Sequence, residues 1–191
     1  MPIIETRTHT RPSTATPLWS DSTGPALTAA MAAIQPFIDN GTLTLNRTIS
    51  DDGLTITQIL TYSDLETYSA VDTIFGLELN AEFMQYTSTH GISNDINTYQ
   101  MTGIDQLFTN TISYNFAAGT MIDGYLLVDF LPTKIAGDKL QDLSVTETNI
   151  TAVLLYDNSA DYTQNAWLDL QFVERLHAAG VTRSISYSLF V

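Results

Sequence analysis

Hydrophobic residues along the chain change period several times, and each change marks an element. Residues 3–17 alternate Thr with charged residues through Thr6, Arg7, Thr8, His9, Thr10 and Arg11 before Pro12 and Pro17. That is the pattern of an extended arm with Arg7, His9 and Arg11 on one face. A helix is expected from Asp21 or Ser22, with Pro25 in its first turn, a stripe of Leu27, Met31, Ile34 and Ile38, and Gly41 at its end. Two strands follow, 42–49 and 54–62, and Asp51, Asp52 and Gly53 join them as a hairpin turn. Ser63 with Glu66 three residues on reads as a capping box opening a second helix that runs to about Tyr86, with His90 and Gly91 at its exit. Strands are expected at 92–101, 107–117, 121–131, 143–148 and 150–156, a short helix at 133–142, and a long helix at 159–178. The last strand, 181–191, sets Val181, Arg183, Ile185, Tyr187 and Leu189 against Thr182, Ser184, Ser186 and Ser188, as a half-buried strand does.

The pattern also repeats. One register lays Ile56, Thr57, Leu60, Tyr62 and Tyr68 on Ile150, Thr151, Leu154, Tyr156 and Tyr162, and a short deletion in the second helix then brings Gly91 onto Gly180. Each copy reads strand, helix, strand, strand, helix, strand, with the first strand of copy one drawn from the arm. This is the ferredoxin-like βαββαβ order. Such a unit leaves one sheet face without helices, so two units are expected to bury those faces against each other. The expected fold class is α+β, in three parts: residues 1–20 as the arm, 21–104 as a first ferredoxin-like unit, and 105–191 as a second with a strand-rich insertion.

Composition narrows the partners. The 191 residues are 44% hydrophobic and only 15% charged, with 28 threonines, which points to a surface partly covered by other proteins. A net charge of −14 disfavours phosphate backbones and anionic membranes, so neither nucleic acid nor membrane is expected as a partner. With no cysteine there is no disulfide and no thiolate metal site. No run of roughly 18 apolar residues occurs, and MPIIETRTHTRP lacks the apolar core of a signal peptide.

The segment GTLTLNRTISDDGLTITQILTYSDLETYSAV resembles the hairpin and second helix of the antibiotic biosynthesis monooxygenase-like dimeric α/β barrel group. The resemblance covers about residues 25–100, with an echo at 143–191. It implies that the two units form a pseudo-dimeric α/β barrel. The opening TRTHTRPSTATPLWS is similar to the start of small virion proteins of tailed phages that infect cyanobacteria. That second resemblance implies a structural protein of the virion, assembled in the host cytoplasm, whose partners are other virion proteins and copies of itself.

Haem degradation in the barrel group relies on a ligating His with supporting Asn and Trp, whereas His90 and His177 fall at expected helix exits, where a ring N–H caps the last carbonyls. Asp157, Ser159 and Asp161 imitate the start of a calcium loop, but Tyr162 stands where the loop needs Gly and Leu168 where it needs a bidentate Glu. Asp51 and Asp52 read as a solvated turn and Trp167 as core. Tyr62, Tyr68, Tyr156 and Tyr162 read as core in preference to cavity lining. No phosphate loop, nucleophile elbow or zinc-binding helix motif occurs. The expectation is therefore a non-enzymatic protein with no catalytic residue, cofactor or metal site, contacting its partners through Arg7, His9, Arg11 and Trp19. The alternative is a small cofactor-independent monooxygenase-like enzyme or a ligand-binding barrel.

Overall fold

Alternation of Ile3, Glu5, Arg7 and His9 against Ile4, Thr6, Thr8 and Thr10 makes the opening segment a strand with two unlike faces. In the structure, a computed structural model that describes residues 2–94, 98–101, 108–135, 139–157, 162 and 172–189, this strand is central to a sheet. β1 (Ile3–Thr10) pairs antiparallel along its whole length with β3 (Thr55–Tyr62), and on its other side with β4 (Ser93–Asn94) and β5 (Thr98–Met101). β2 (Leu43–Ile49) completes the first sheet at the edge beyond β3, in the order β2-β3-β1-β4. Ile3 is fully buried and Glu5 nearly so, which makes residues 3–10 part of the body and not a separate arm.

A second antiparallel sheet has the order β11-β6-β10-β9, from β6 (Phe108–Asn115), β9 (Leu140–Val145), β10 (Asn149–Tyr156) and β11 (Thr182–Leu189). The described residues thus form a mixed α+β fold with two large antiparallel sheets. β1 and β6 hold the same place, and the pairings Ile3↔Tyr62 and Phe108↔Tyr156 set Glu5 and Arg7 in the positions of Asn110 and Ile112. The helix exits match as well. Gly91 and Gly180, both with φ in the left-handed region, donate to Ser88 O and His177 O, and the next residues, Ile92 and Val181, donate to Thr87 O and Leu176 O.

The helices depart from the sequence reading at several places. α1 (Pro25–Asp39) starts after a separate 3-10 turn at Trp19–Asp21, and its buried stripe is Leu27, Ala30 and Ile34, with Met31 exposed. The first amides of α1 have no local cap. Glu82, on the later helix α3 (Leu77–His90), accepts from Ala26 N at 3.0 Å and Leu27 N at 3.2 Å. The second expected helix is broken at Gly76, whose φ of 26° suits glycine, into α2 (Leu65–Phe75) and α3. Its N-cap is Asp64, accepting from Thr67 N at 2.8 Å, in place of Ser63.

The apolar run expected as strand 121–131 is instead a small hairpin, β7 (Met121–Ile122) with β8 (Tyr125–Leu126), followed by α4 (Leu127–Ile135). Leu127, Phe130 and Leu131 are buried at helical spacing, which alternation in a strand cannot satisfy. Of the long helix expected at 159–178, α5 (Val173–Ala178) is described, and Tyr162 is helical. Most of the remaining stretch, Trp167 included, lies outside the described residues.

The helices cover one face of each sheet, and those covered faces share one apolar core reaching from Ile3, Ile34 and Leu60 to Phe108, Leu154 and Leu176. The halves touch through α3 against α5 and α2 against β11. The opposite faces carry Thr6, Thr8, Thr44, Thr48, Thr57 and Thr61 on the first sheet, and Thr109, Thr111, Ser113, Thr151, Ser184 and Ser186 on the second. None of these residues is buried, so the bare faces do not pack on each other as the sequence suggested. The reason is chemical: hydroxyl-bearing side chains gain little from leaving water, whereas the Leu, Ile and Tyr positions on the other faces gain about 25 cal/mol per Å².

The cap from Glu82 generates a prediction. Replacing Glu82 by Ala lowers stability by about 1 kcal/mol, read from the urea midpoint. A Cβ at Gly24 would meet the Glu82 carboxylate, so Gly24→Ala displaces the cap and costs about as much as Glu82→Ala in the native chain, and much less in the Glu82→Ala background.

Candidate functional site

Position 5 shares the helix-covered side of β1 with Ile3 and Arg7, so the strand carries an acid and a base inward. The Glu5 carboxylate is 2% exposed and fully engaged. Arg7 donates to it through Nε at 2.8 Å and Nη2 at 3.1 Å, and the Tyr62 hydroxyl donates at 2.9 Å. The Arg7 guanidinium lies 5.0 Å from the Phe75 ring centre. A buried carboxylate is tolerated when paired and hydrogen-bonded in this way.

A second chain of polar groups crosses from one half to the other. The hydroxyls of Tyr68 and Tyr162 share a hydrogen bond, those of Tyr162 and Tyr187 are 2.6 Å apart, and Tyr187 donates to Asp72 Oδ2 at 2.9 Å. Tyr68 and Asp72 are one helical turn apart on α2, which aims both at the other half. The ring pairs are alike in the two halves: Tyr62 and Tyr68 meet edge to face at 5.0 Å and 85°, Tyr156 and Tyr162 at 5.3 Å and 85°. Beside this chain Thr73 Oγ1 donates to Ile185 O at 3.1 Å, covering the β11 edge.

Burial pushes the Asp72 carboxyl above the usual carboxylate range, against the pull of Arg183 and the Tyr187 hydrogen bond. The Tyr187 phenol is pushed well above its ordinary value by burial first, then by the Asp72 charge and Tyr162. Burial also raises Tyr114. As long as Asp72 is ionised, each hydroxyl in the chain donates toward it, so the network fixes the junction of the halves.

The four residues expected to make contacts are drawn into the body. Arg7 belongs to the Glu5 cluster. His9 Nδ1 is 2.9 Å from Asn94 Oδ1, and its ring stands on Phe83 at 5.2 Å. Arg11 donates to Gly53 O at 2.8 Å and Thr16 O at 2.9 Å, tying the hairpin turn to the chain after β1. Trp19 packs on Phe83 at 4.9 Å, and its buried indole N–H meets no hydrogen-bond acceptor among the described residues. His9, Arg11 and Trp19 line one shallow open cleft with Leu18, Ile56 and Phe83, with about 20 Å³ of room, enough for little more than a water molecule.

Other candidates take structural places. Asp52 accepts from Ser50 Oγ and Leu54 N in the turn, and these bonds hold its carboxyl below the usual range. His90 Nδ1 lies 2.9 Å from Tyr86 O, and its ring stacks on Tyr86. Ser159 and Asp161 of the calcium-like stretch lie outside the described residues. Among the described residues no group of three or more His, Asp or Glu side chains could hold a metal ion, and no helix is long and apolar enough to cross a membrane. Sequence reading missed Glu5, Asp72, Arg183 and Tyr187. Two signals were available, the shared face of Glu5 and Arg7 and the one-turn spacing of Tyr68 and Asp72.

No family model matches the chain, and no curated protein does. Two solved structures resemble it at low scores. One, provisionally assigned as a glycine cleavage system transcriptional repressor, is 10% identical with a TM-score of 0.28, over 100% of this chain and 99% of that one. The other, from Lactobacillus acidophilus NCFM and provisionally assigned as a monooxygenase, is 9% identical with a TM-score of 0.31, over 99% of this chain and 93% of that one. Likenesses at these scores carry no argument about function.

Asp72 gives a pH prediction whose sign follows from its raised folded value. The folded state holds the Asp72 proton more tightly than the unfolded state, so this residue's contribution is most favourable at acid pH and declines as pH rises through the folded value. Asp72→Asn, which keeps an acceptor for Tyr187 and removes the charge, should gain stability relative to the native chain as pH rises from below 4 toward neutrality. Urea midpoints of both proteins across that range check it. Tyr68→Phe breaks the chain between the halves and should cost about 1–3 kcal/mol, because it leaves a buried hydroxyl short of a partner.

Proposed function

We propose that this chain is a non-enzymatic assembly protein of a tailed-phage virion, built as two tandem ferredoxin-like units related by an approximate two-fold through Tyr68 and Tyr162. The unit assignment is supported by the matching strand orders, β2-β3-β1-β4 and β11-β6-β10-β9, and by the matching helix exits. It is also supported by a hydrogen bond between two residues that the repeat makes equivalent, as a two-fold requires of residues at its axis. Barrel closure is left out of the proposal, because the unburied hydroxyl faces point away from the shared core.

One observation carries the assembly reading. In a chain of net charge −14, the bare face of the first sheet has no charged residue on β1, β2 or β3, only Thr, Asn and Ile. An uncharged, hydroxyl-bearing platform is a place where an acidic protein meets other proteins without repulsion. The opening segment, TRTHTRPSTATPLWS, adds the virion as the setting by its resemblance to small virion proteins. A ligand-binding reading has one observation in its favour, the cleft holding His9 beside Trp19.

Two measurements decide between them. Sedimentation velocity over a concentration series, with mass spectrometry of purified particles, should find a self-associating chain that is recovered in virions. A chain that stays monomeric and is absent from particles contradicts the proposal. Saturable quenching of Trp19 fluorescence by a small aromatic compound, relieved in Trp19→Phe, would favour the ligand-binding reading.

A further inference from the structure

Each sheet edge exposes a row of unpaired backbone groups that native proteins guard. The β11 edge is covered by α2, with the Thr73 hydroxyl on Ile185 O. The β9 edge is interrupted by a register shift against β10 and carries Asp142. β2 differs from both. Its seven residues, Leu43–Ile49, pair with β3 without a register shift and contain no Pro, Lys or acid. The single charge on β2, Arg47, is held back by Asp21 at 3.0 Å and Ser20 at 2.9 Å. Leu45 is 40% exposed and Ile49 45%.

We propose that the β2 edge receives a second copy of this chain, β2 pairing antiparallel with β2 about a two-fold at Asn46. The inference rests on the assembly reading and names its self-contact. Its warrant is that β2 complements itself. In that register Leu43 stands opposite Ile49, Thr44 opposite Thr48, Leu45 opposite the Arg47 stem, and Asn46 opposite Asn46. Odd positions meet odd positions, so the helix-covered side and the hydroxyl side of one sheet continue into the next. Cross-strand Thr–Thr and apolar pairs are favourable, and such an isologous contact closes as a dimer. Two chains of charge −14 repel, and an edge without acids brings their backbones together where that repulsion is least. The joined pair presents one hydroxyl face about twice as wide, which suits a platform for other partners.

The absence of cysteine makes the test direct. Opposed residues in an antiparallel pair have Cα atoms roughly 4.5–5.5 Å apart, inside disulfide range. Asn46→Cys should therefore form a covalent dimer under mild oxidation at least about tenfold faster than Thr44→Cys, whose two copies would lie roughly 13 Å apart along the strands. Thr57→Cys, on the open face of β3, is a second reference. Asn46→Lys, which sets two cations together at the two-fold, should abolish self-association of the chain in sedimentation, with far-UV circular dichroism verifying the fold. Equal cross-linking rates, or self-association unchanged in Asn46→Lys, overturn the β2 pairing. Self-association that survives Asn46→Lys leaves the assembly reading standing, whereas cross-linking in solution with no chain in virions counts against that reading alone.

Discussion

The fold depends on a line of hydroxyls. Tyr68, Tyr162 and Tyr187 relay hydrogen bonds from one half of the molecule to the other and end on Asp72. Buried polar groups of this kind are tolerated only when all are satisfied, so the line permits one arrangement of the halves and penalises others. Around it the aromatic rings supply the apolar area, and Glu5 with Arg7 and Tyr62 forms a second satisfied cluster next to it. These clusters set the covered sides of the two sheets toward each other and leave the hydroxyl-bearing sides open.

That orientation is what links structure to function. Had the bare faces closed on each other, the interior would have been a candidate cavity and the surface would have been helices. Instead the helices lie toward the shared core, and the outer faces carry Thr and Ser in register across neighbouring strands, such as Thr48, Thr57 and Thr8. On the first sheet an acidic chain thereby presents a surface whose β1, β2 and β3 positions carry no charge. Among the described residues no strand covers the β2 edge, which borders that surface.

Much of this was legible from periodicity. The hairpin around Gly53, the strands carrying Tyr62 and Tyr156, and the equivalence of Gly91 and Gly180 follow from alternation, turn chemistry and self-similarity. What was not legible depends on distant partners. Nothing near Pro25 announces that Glu82 caps α1, because the cap comes from another helix. The run around Leu127 reads as a strand by composition and folds as a helix, because Leu127, Phe130 and Leu131 need one common side to reach the core. Arg7, His9 and Arg11 were expected to make contacts with partners from an arm, yet Glu5, Asn94 and Gly53 O engage them within the chain. The direction of the bare faces was misjudged for a similar reason: alternation shows that a strand has two faces without saying which of them meets the other unit.

The most direct test of the account is amide hydrogen exchange of the intact chain at low and high protein concentration. β1, β3, β6 and β10, paired on both sides, should be protected throughout, while the outward-pointing amides of β2, which do not bond to β3, exchange quickly in dilute solution and become protected as the concentration rises. Protection of β2 that does not change with concentration, in a chain that remains monomeric, would contradict the claim that this fold is built to assemble.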